Sequence, residues 1–230
     1  MKTKAFFSIL LSSLTFYFSS AQAEMGDVHG KIDVGVAIAD LELISGGERG
    51  KAHTLEGIST NGSIIFSNGF TLKPAAIYAE DAGNYYSLGM GFGWYIPLQE
   101  GISILPNVGV SYSRLIARTG LPTGVPNNTE MRLRSRVQYM GMEVAYKLCE
   151  KLLLTGGVQH AWNQSTSSFS IAALPTSTAE SRGFNYSASL DYYLNESWTV
   201  QLAGTIQHSR SNETEGSDAK GVRLGLGYIF

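Results

Sequence analysis

Residues 85–98 read YYSLGMGFGWYIPL, and this stretch decides the fold class. Its even-numbered positions all carry large apolar or aromatic residues, whereas its odd-numbered positions include one serine and three glycines. Alternation with a period of two predicts a β-strand that has one bulky apolar face. A soluble barrel would turn that face inward and show polar residues to water. A face of large apolar residues with aromatic residues at its ends, opposite a face of small and polar residues, instead predicts a transmembrane barrel strand.

The same alternation recurs along the chain. Four further stretches show it: 31–39, 101–117, 184–194 and 198–209. Aromatic residues stand toward the ends of the apolar faces, as in the girdles that mark the two membrane interfaces. The girdle candidates are Trp94, Tyr112, Trp162, Tyr192, Trp198 and Tyr228. The sequence therefore predicts an all-β fold, namely an antiparallel transmembrane β-barrel.

Ten strands are predicted. They span 29–39, 54–66, 70–80, 84–98, 101–117, 130–148, 151–165, 182–194, 198–211 and 219–230. Short and longer links mostly alternate, as expected when tight turns face the periplasm and longer loops face outside. The second and third strands are the weakest, because Thr60, Gly62 and Pro74 interrupt their faces and proline is poorly tolerated within a ladder. An eight-stranded barrel is therefore the alternative.

The first 23 residues form a predicted signal peptide. Lys2 and Lys4 supply a positive start, residues 5–18 are largely apolar, and Ala21-Gln22-Ala23 is a small-x-small cleavage site. The apolar run is shorter than the roughly 20 residues that a spanning helix needs. We therefore expect residues 1–23 to be a cleaved signal and residues 24–230 to form the barrel.

Composition excludes several function classes. The chain has 230 residues and a formal net charge of −2, so no nucleic-acid partner is expected. With the single cysteine Cys149 it can form neither an internal disulfide nor a multi-cysteine zinc site. None of the four histidines stands at a metal-binding spacing from another histidine or from the cysteine. We expect neither a metal nor a cofactor.

Residues 221–230, GVRLGLGYIF, alternate strictly and end in an aromatic residue. This segment resembles the C-terminal signature of bacterial outer-membrane proteins. The resemblance implies a Gram-negative outer-membrane location and recognition by the barrel-assembly machinery, with Tyr228 and Phe230 as anchors. As a whole the chain resembles the small outer-membrane barrel class, which includes OmpA-type, Opa-type and Ail-like barrels. The resemblance is architectural, and no loop motif assigns one family.

Charged residues of both signs fall on the small, polar face, which is predicted to line the lumen. They are Lys31, Asp33, Lys73, Glu143, Lys147, Asp191 and Arg223. Unpaired charges in a narrow interior are costly, so these side chains should form ion pairs. The favoured interpretation is a salt-bridged plug that closes the barrel, because barrels of this strand number are largely filled. A selective pore or proton path is the alternative.

An arginine cluster is predicted at the outer rim, where the fifth and sixth strands lie side by side. It comprises Arg114, Arg132, Arg134 and Arg136. Arginine on the lipid-facing side at mid-membrane would cost roughly 2–4 kcal/mol, so these residues should stand at or above the interface. There they could bind lipopolysaccharide phosphates. In the alternative, a β-bulge near Tyr139 turns the arginines toward the barrel mouth, and Leu133, Val137 and Tyr139 face lipid.

Enzymatic interpretations are weaker. His208 adjoins Ser209, which resembles the histidine–serine pair of outer-membrane lipid A deacylases, but strand alternation puts the two side chains on opposite faces. The strand pattern places no aspartate beside a histidine, as a protease like the omptins would need. The leading hypothesis is a non-enzymatic surface protein that supports envelope integrity or makes contacts through its loops, with an unspecified loop ligand. A small passive channel is the alternative, and an outer-membrane hydrolase is less favoured.

Overall fold

The computed structural model describes residues 28–49, 53–80, 83–117, 130–170 and 176–230. Within these ranges, ten long strands form one closed antiparallel barrel. They are β1 (His29–Ser45), β2 (His53–Ile65), β3 (Phe70–Glu80), β4 (Gly83–Trp94), β5 (Ile102–Ala117), β6 (Met131–Cys149), β7 (Leu152–Phe169), β8 (Ser177–Tyr193), β9 (Trp198–Arg210) and β10 (Gly216–Ile229). The predicted signal peptide, residues 1–23, lies outside the described residues. None of the described segments is a helix of the length and apolar character required to cross a membrane.

Each strand pairs with its neighbour in the chain, and β10 returns to pair with β1. That seam runs without interruption from Lys31 opposite Ile229 to Ile44 opposite Gly216. Closure of this kind satisfies the backbone groups that an open sheet edge would expose to lipid. The short turns lie at the end of the barrel where β1 begins and β10 ends, which we call the terminal end. The opposite end, where β1 ends and β10 begins, we call the loop end.

The predicted count of ten strands is confirmed, and the eight-stranded alternative is wrong. Pro74 interrupts only one ladder. Pairing between β2 and β3 passes from Asn61 opposite Ala75 to Ile64 opposite Leu72, so the intervening residues are skipped. On its other side Pro74 stays in register with β4. A Cβ on the nearby Gly62 would lie 3.0 Å from the proline ring, so glycine leaves room for it.

Two short strand segments extend the barrel. Glu48–Arg49 folds back on the loop end of β1 through Gly46 and Gly47, whose φ angles of 63° and 85° favour glycine. Ile96–Gln99 continues the line of β4 and pairs with the start of β5, with a register shift between Pro97 and Gln99. The first segment carries Arg49 over the outer surface, where it reaches carboxylates of β1 and β10.

The alternation predicted from the sequence sorts the side chains onto two faces. Large apolar side chains point outward and remain exposed, for example Val36 at 60%, Leu88 at 68% and Val222 at 59%. The intervening serines, asparagines, glutamines and charged residues are mostly buried in the lumen. An apolar outside around a polar inside is the arrangement that a lipid environment stabilises.

A cluster of apolar side chains, which the sequence analysis did not predict, lies in the loop-end half of the lumen beside buried serines such as Ser113, Ser135 and Ser165. Side chains from seven of the ten strands pack there into one cluster: Ala39, Leu41, Ile77, Ala79, Tyr85, Leu115, Leu133, Ala203 and Ala219. A second cluster joins Val137 and Tyr139 of β6 to Ala75 and Ala161. The lumen therefore has a polar layer near the terminal end and, near the loop end, an apolar layer that lies beside buried serines.

Candidate functional site

Two ion pairs close the lumen near the terminal end. Lys31 on β1 pairs with Asp191 on β8, and Arg223 on β10 pairs with Asp33 on β1. Gln201 on β9 joins them, because its amide donates to Asp191 at 3.1 Å and its carbonyl accepts from Arg223 Nη1 at 2.7 Å. All five side chains are buried. The two pairs and the glutamine thus form one hydrogen-bonded network across four strands.

A third ion pair lies on the other side of the lumen. Lys73 Nζ of β3 is 2.6 Å from Glu143 Oε2 of β6. Asn107 of β5 donates a further hydrogen bond to Glu143 at 3.3 Å. Both ionised side chains are almost fully buried, at 4% and 2% exposure. Removing either partner would leave an uncompensated charge away from water, so the pair is structurally obligatory once one member is present.

Six of the seven charges predicted to line the lumen lie in these three pairs. Lys147 does not. Lys147 lies on the same face of β6 as Glu143, but its side chain is exposed at the end of the strand. A register shift between Lys147 and Cys149 occurs at this point. The alternation correctly gives its face of the strand, yet the residue lies beyond the mouth of the lumen. Cys149 is a free, exposed thiol at the same end.

The predicted arginine cluster lies on the outward face near the loop end. Arg114 of β5 stands directly opposite Arg134 of β6, with Arg136 opposite Tyr112 and Arg132 opposite Ile116. The β5–β6 ladder is continuous from Ile102 to Ala117 without a bulge.

The alternative orientation of these arginines is therefore wrong. Leu133, Val137 and Tyr139 are buried in the lumen at 1%, 2% and 4% exposure and do not face lipid. Because no bulge switches the register, the arginines stay on the same outer face as Met140 and Met142.

The cluster is short of negative charge. Arg132 Nε donates to Glu130 at 2.6 Å, but no ion pair to Arg114, Arg134 or Arg136 is formed by the residues that the structure describes. Arg114 Nε is buried and finds no hydrogen-bond acceptor among them. The intervening residues 118–129 contain no aspartate or glutamate. Like charges directly opposite each other destabilise a sheet, so this position favours a bound anion.

Two further arginines share this outer face and were missed by the sequence analysis. Arg182 of β8 stands directly opposite Arg210 of β9. Their positions in the chain give no motif, and only the β8–β9 register brings them together. Both arginines are even-numbered, like the outward-facing residues of β8 and β9, and the turn between these strands is short. These two features together could have predicted the pair.

The structure places an aspartate beside a histidine, contrary to the expectation. Asp218 of β10 stands opposite His208 of β9, and its Oδ1 lies 3.0 Å from His208 Nδ1. Asp218 also accepts from Arg210 at 2.6 Å. Ser209 points inward and donates to Ser181, so it is not oriented toward the imidazole. The arrangement resembles a catalytic dyad in distance alone, since the carboxylate is held by arginine and the adjacent serine faces the lumen.

The residues expected to anchor assembly lie at the seam. Tyr228 and Phe230 point outward, and their rings stack with centroids 6.5 Å apart. Trp198 of β9 packs edge-on to Tyr228 at 5.2 Å. Together these three rings form an aromatic girdle at the terminal end. In the part of the chain that the structure describes, no three metal-ligating side chains converge.

No protein-family profile matches the sequence, and no curated protein sequence matches it. Solved structures do resemble it. Outer membrane protease OmpT from Escherichia coli aligns with a TM-score of 0.53 at 12% identity, over 92% of this chain and 99% of that chain. The β domain of the Bordetella autotransporter BrkA aligns with a TM-score of 0.53 at 10% identity, over 89% of this chain and 100% of that chain.

Ail, the attachment invasion locus protein of Yersinia pestis, aligns with a TM-score of 0.44 at 13% identity, over 89% of this chain and 100% of that chain. At such identities the likeness shows the fold alone. The fold is therefore that of the small β-barrels found in bacterial outer membranes. Because this fold carries different roles, including a protease, the activity must be argued from the side chains of this chain.

Proposed function

We propose that this protein is a closed, non-enzymatic surface barrel that supports envelope integrity by binding lipopolysaccharide and makes further contacts through its loops. The observation that carries the proposal is that buried side chains occupy both halves of the lumen. Three buried ion pairs occupy its terminal half, and an apolar cluster drawn from seven strands occupies its loop-end half. Neither layer suits a water-filled path, because buried ion pairs occupy one, and packed apolar side chains, beside buried serines, occupy much of the other.

Conductance separates this proposal from a passive channel. We expect purified, refolded protein in a planar bilayer to give no stable steps, while a larger porin reconstituted in the same membranes conducts. Regular single-channel steps of porin size would refute the closed barrel. The measurement needs no knowledge of the loop ligand.

The lipopolysaccharide part of the proposal rests on the opposed arginines. Guanidinium groups match phosphate oxygens in a bidentate geometry, and these arginines lie on the loop-end side of the apolar residues Met140 and Met142, where a phosphorylated lipid headgroup would fit. Arg114 and Arg134 face each other without a counter-charge among the described residues, and Arg136 stands two positions further along β6. A phosphate between the first two would relieve their repulsion.

Thermal unfolding tests this binding. We expect lipopolysaccharide to raise the melting temperature of the parent, and to raise that of an Arg132→Gln, Arg134→Gln, Arg136→Gln variant much less. Lys151→Gln, an exposed charge at the terminal end, is the matched control and should respond like the parent. Equal stabilisation of the triple variant and the parent would rule out the phosphate site.

The non-enzymatic part is tested on the same preparation. We expect no hydrolysis of lipid A, phospholipid or peptide substrates above that of empty micelles. Hydrolysis that disappears in His208→Ala would assign a catalytic role to the His208–Asp218 pair and would overturn this part of the proposal.

A further inference from the structure

A polar groove runs over the outward face of β6 to β9, at the loop end of the apolar belt. Its lining includes Arg136, Gln138, Trp162, Gln164, Glu180 and Arg182, with Arg210 at one edge. It contains the one tryptophan at the loop end, since Trp94 and Trp198 lie at the terminal ends of β4 and β9.

The strand register fixes the arrangement around Trp162. Gln138 of β6 and Arg182 of β8 stand directly opposite it on either side. Gln164 is two residues further along β7, and Arg136 is opposite Gln164. Diagonal neighbours in a sheet are about 7–8 Å apart, within reach of long side chains. Arginine and amide groups therefore surround the tryptophan on both sides and above.

The ring of Trp162 is held on one side and open on another. His160 packs against it edge to face, with centroids 4.5 Å apart and an interplanar angle of 90°. The residue nevertheless remains 43% exposed. An aromatic ring bordered by amides and guanidinium groups suits a sugar, because the ring packs on the apolar C–H face while the polar side chains bind hydroxyl and amide groups.

The charge of the groove favours an anionic sugar. Arg182 stands opposite Arg210, and Arg210 is already engaged by Asp218. No ion pair to Arg136 or Arg182 is formed within the described ranges. Glu180, the acidic residue in the lining, is 3.5 Å from the amide of Gln164 and remains able to accept from a sugar hydroxyl.

The surface next to the groove, toward the terminal end, would suit the lipid chains of a ligand. One outward position further toward the membrane on each strand, Met140, His160 and Phe184 form a row. Val158 and Tyr186 follow in the next row. A ligand seated on Trp162 thus has apolar surface directly beneath it.

We propose that this groove binds a phosphorylated amino-sugar unit of lipopolysaccharide, with the sugar on Trp162 and its phosphate between Arg136 and Arg182. The inference deepens the lipopolysaccharide proposal and rests on it, because it names the headgroup and adds Trp162, Arg182, Gln138 and Gln164 to the site. The groove is also a second binding position, because the Arg114–Arg134 pair on β5 and β6 lies outside the groove lining.

Tryptophan fluorescence tests the groove directly. Replacing Trp94 and Trp198 with phenylalanine leaves Trp162 as the sole tryptophan. We expect its emission to shift saturably when lipid A, an acylated and phosphorylated glucosamine disaccharide, is added to the protein in micelles. The response should be lost in Arg136→Gln, Arg182→Gln. A protein that retains only Trp198 is the control and should not respond.

Three further probes test which parts of lipid A are recognised: its phosphates, its sugar or its lipid chains. Dephosphorylated lipid A, phosphatidylglycerol and soluble glucosamine phosphate should each give a much smaller response than lipid A at the same concentration. A response to phosphatidylglycerol equal to that of lipid A would overturn sugar recognition, and an equal response to glucosamine phosphate would overturn the lipid-linked ligand. A full response to dephosphorylated lipid A would overturn the phosphate contact.

The two proposals fail separately. Thermal stabilisation by lipopolysaccharide that is lost in Arg114→Gln, Arg134→Gln, a variant that keeps the groove residue Arg136, would reject the groove if Trp162 gave no response, and would leave the broader proposal standing. Absence of both effects would reject both. If the double tryptophan replacement lowers the folded yield, the difference in emission between the parent and Trp162→Phe isolates the signal of the same ring, and the absence of a lipid A response in that difference would equally reject the groove.

Discussion

Tyr139 shows how single glycines shape the inside of this barrel. A Cβ placed on Gly109, directly opposite Tyr139, would lie 2.2 Å from its hydroxyl oxygen, and one on Gly91 would lie 2.5 Å from the same atom. The tyrosine ring therefore lies across β5 and β4 on a surface that only glycine leaves open. Such an aromatic cover compensates for the packing that a glycine in a strand lacks.

We expect Gly109→Ala to destabilise the barrel by about 1–3 kcal/mol, because the new methyl group overlaps the Tyr139 ring. Gly156→Ala is the matched control, since nothing lies within 4 Å of a Cβ at that outward glycine. The measurement is the urea midpoint of refolded protein in micelles. Adding Tyr139→Ala to Gly109→Ala should relieve the overlap, and a double variant no better than the sum of the two single changes would contradict this account.

Asp218 is the most heavily shared carboxylate on the outer surface among the described residues, and it lies beyond the apolar belt, whose last member on β10 is Val222. Burial acts to raise its pKa, but hydrogen bonds from Arg210 and His208 and their charges outweigh burial, so the pKa lies below its ordinary value. Arg49, on the short segment folded over β1, adds a contact at 3.1 Å and also binds Glu42 at 3.0 Å. The carboxylate thereby ties β9, β10 and the end of β1 together.

A carboxylate with a lowered pKa stabilises the fold fully above its ordinary pKa of 3.8 and loses that contribution as the pH falls below it. We therefore expect Asp218→Asn to lower the melting temperature at pH 7 and to have a smaller effect at about pH 3. Asp40→Asn, an exposed carboxylate that accepts one bond from Thr54, is the control for a general charge effect. If Asp218→Asn lowers the melting temperature by the same amount at both pH values, ionisation of Asp218 does not contribute to stability.

At the scale of elements, the β1–β10 seam decides whether the sheet becomes a barrel. Gly30 and Phe230 exchange two backbone hydrogen bonds, of 2.8 Å and 2.9 Å, at the terminal end of the seam. The ring of Phe230 covers Gly30 so closely that a Cβ there would be 2.2 Å from it. The same residue thus supplies both the last backbone pairing and part of the aromatic girdle.

Removing Phe230 is expected to lower the folded yield in the membrane while synthesis and export continue, because the seam loses two hydrogen bonds and the proposed recognition element of the assembly machinery. Heat-modifiable migration of membrane fractions measures the folded share. Phe230→Ala keeps the backbone bonds but not the ring, so it separates the two contributions. A normal folded share without Phe230 would count against both.

At the scale of the whole molecule, the two layers of the lumen carry different energetic roles. The apolar layer packs mainly through apolar side chains, with the Tyr85 hydroxyl hydrogen-bonded to Ser87, whereas each ion pair is stable only as a pair. Replacing a buried pair with apolar residues is often neutral, but deleting one partner leaves an unpaired charge. The lumen should therefore tolerate loss of a whole pair without opening.

We expect Glu143→Gln to destabilise the barrel by about 3–5 kcal/mol, because Lys73 keeps its charge without a partner. Lys73→Met combined with Glu143→Leu should recover most of that loss. The double variant should also remain non-conducting, because the apolar cluster near the loop end is untouched. Chemical unfolding and bilayer recording measure the two results, and porin-sized steps from the double variant would show that the charged layer alone seals the lumen.

The period-two pattern alone predicted the fold class, ten strands in preference to eight, and the face of nearly every side chain. It did so because a strand places successive residues on opposite sides, and lipid outside the barrel stabilises one consistent apolar face. Residues 85–98 alone show the alternating pattern. The same alternation predicts that the side chains of Arg134 and Arg136 point out of the barrel. Lys147 shows what this pattern cannot predict. Alternation gives the face of the strand on which a side chain lies, but it does not give the point along the barrel axis at which the strand extends beyond the lumen.

Only the tertiary structure decided which side chains meet. Lys31 pairs with Asp191, 160 residues away, and Asp218 meets His208 and Arg49 because three strand registers converge there. The apolar packing around Leu133 and Tyr139 was also decided only by the structure, since the sequence left open whether their face or the arginine face of β6 points to lipid. Partners across a lumen depend on the stagger of every strand and on closure of the sheet, and those quantities are set by the whole ring of pairings at once.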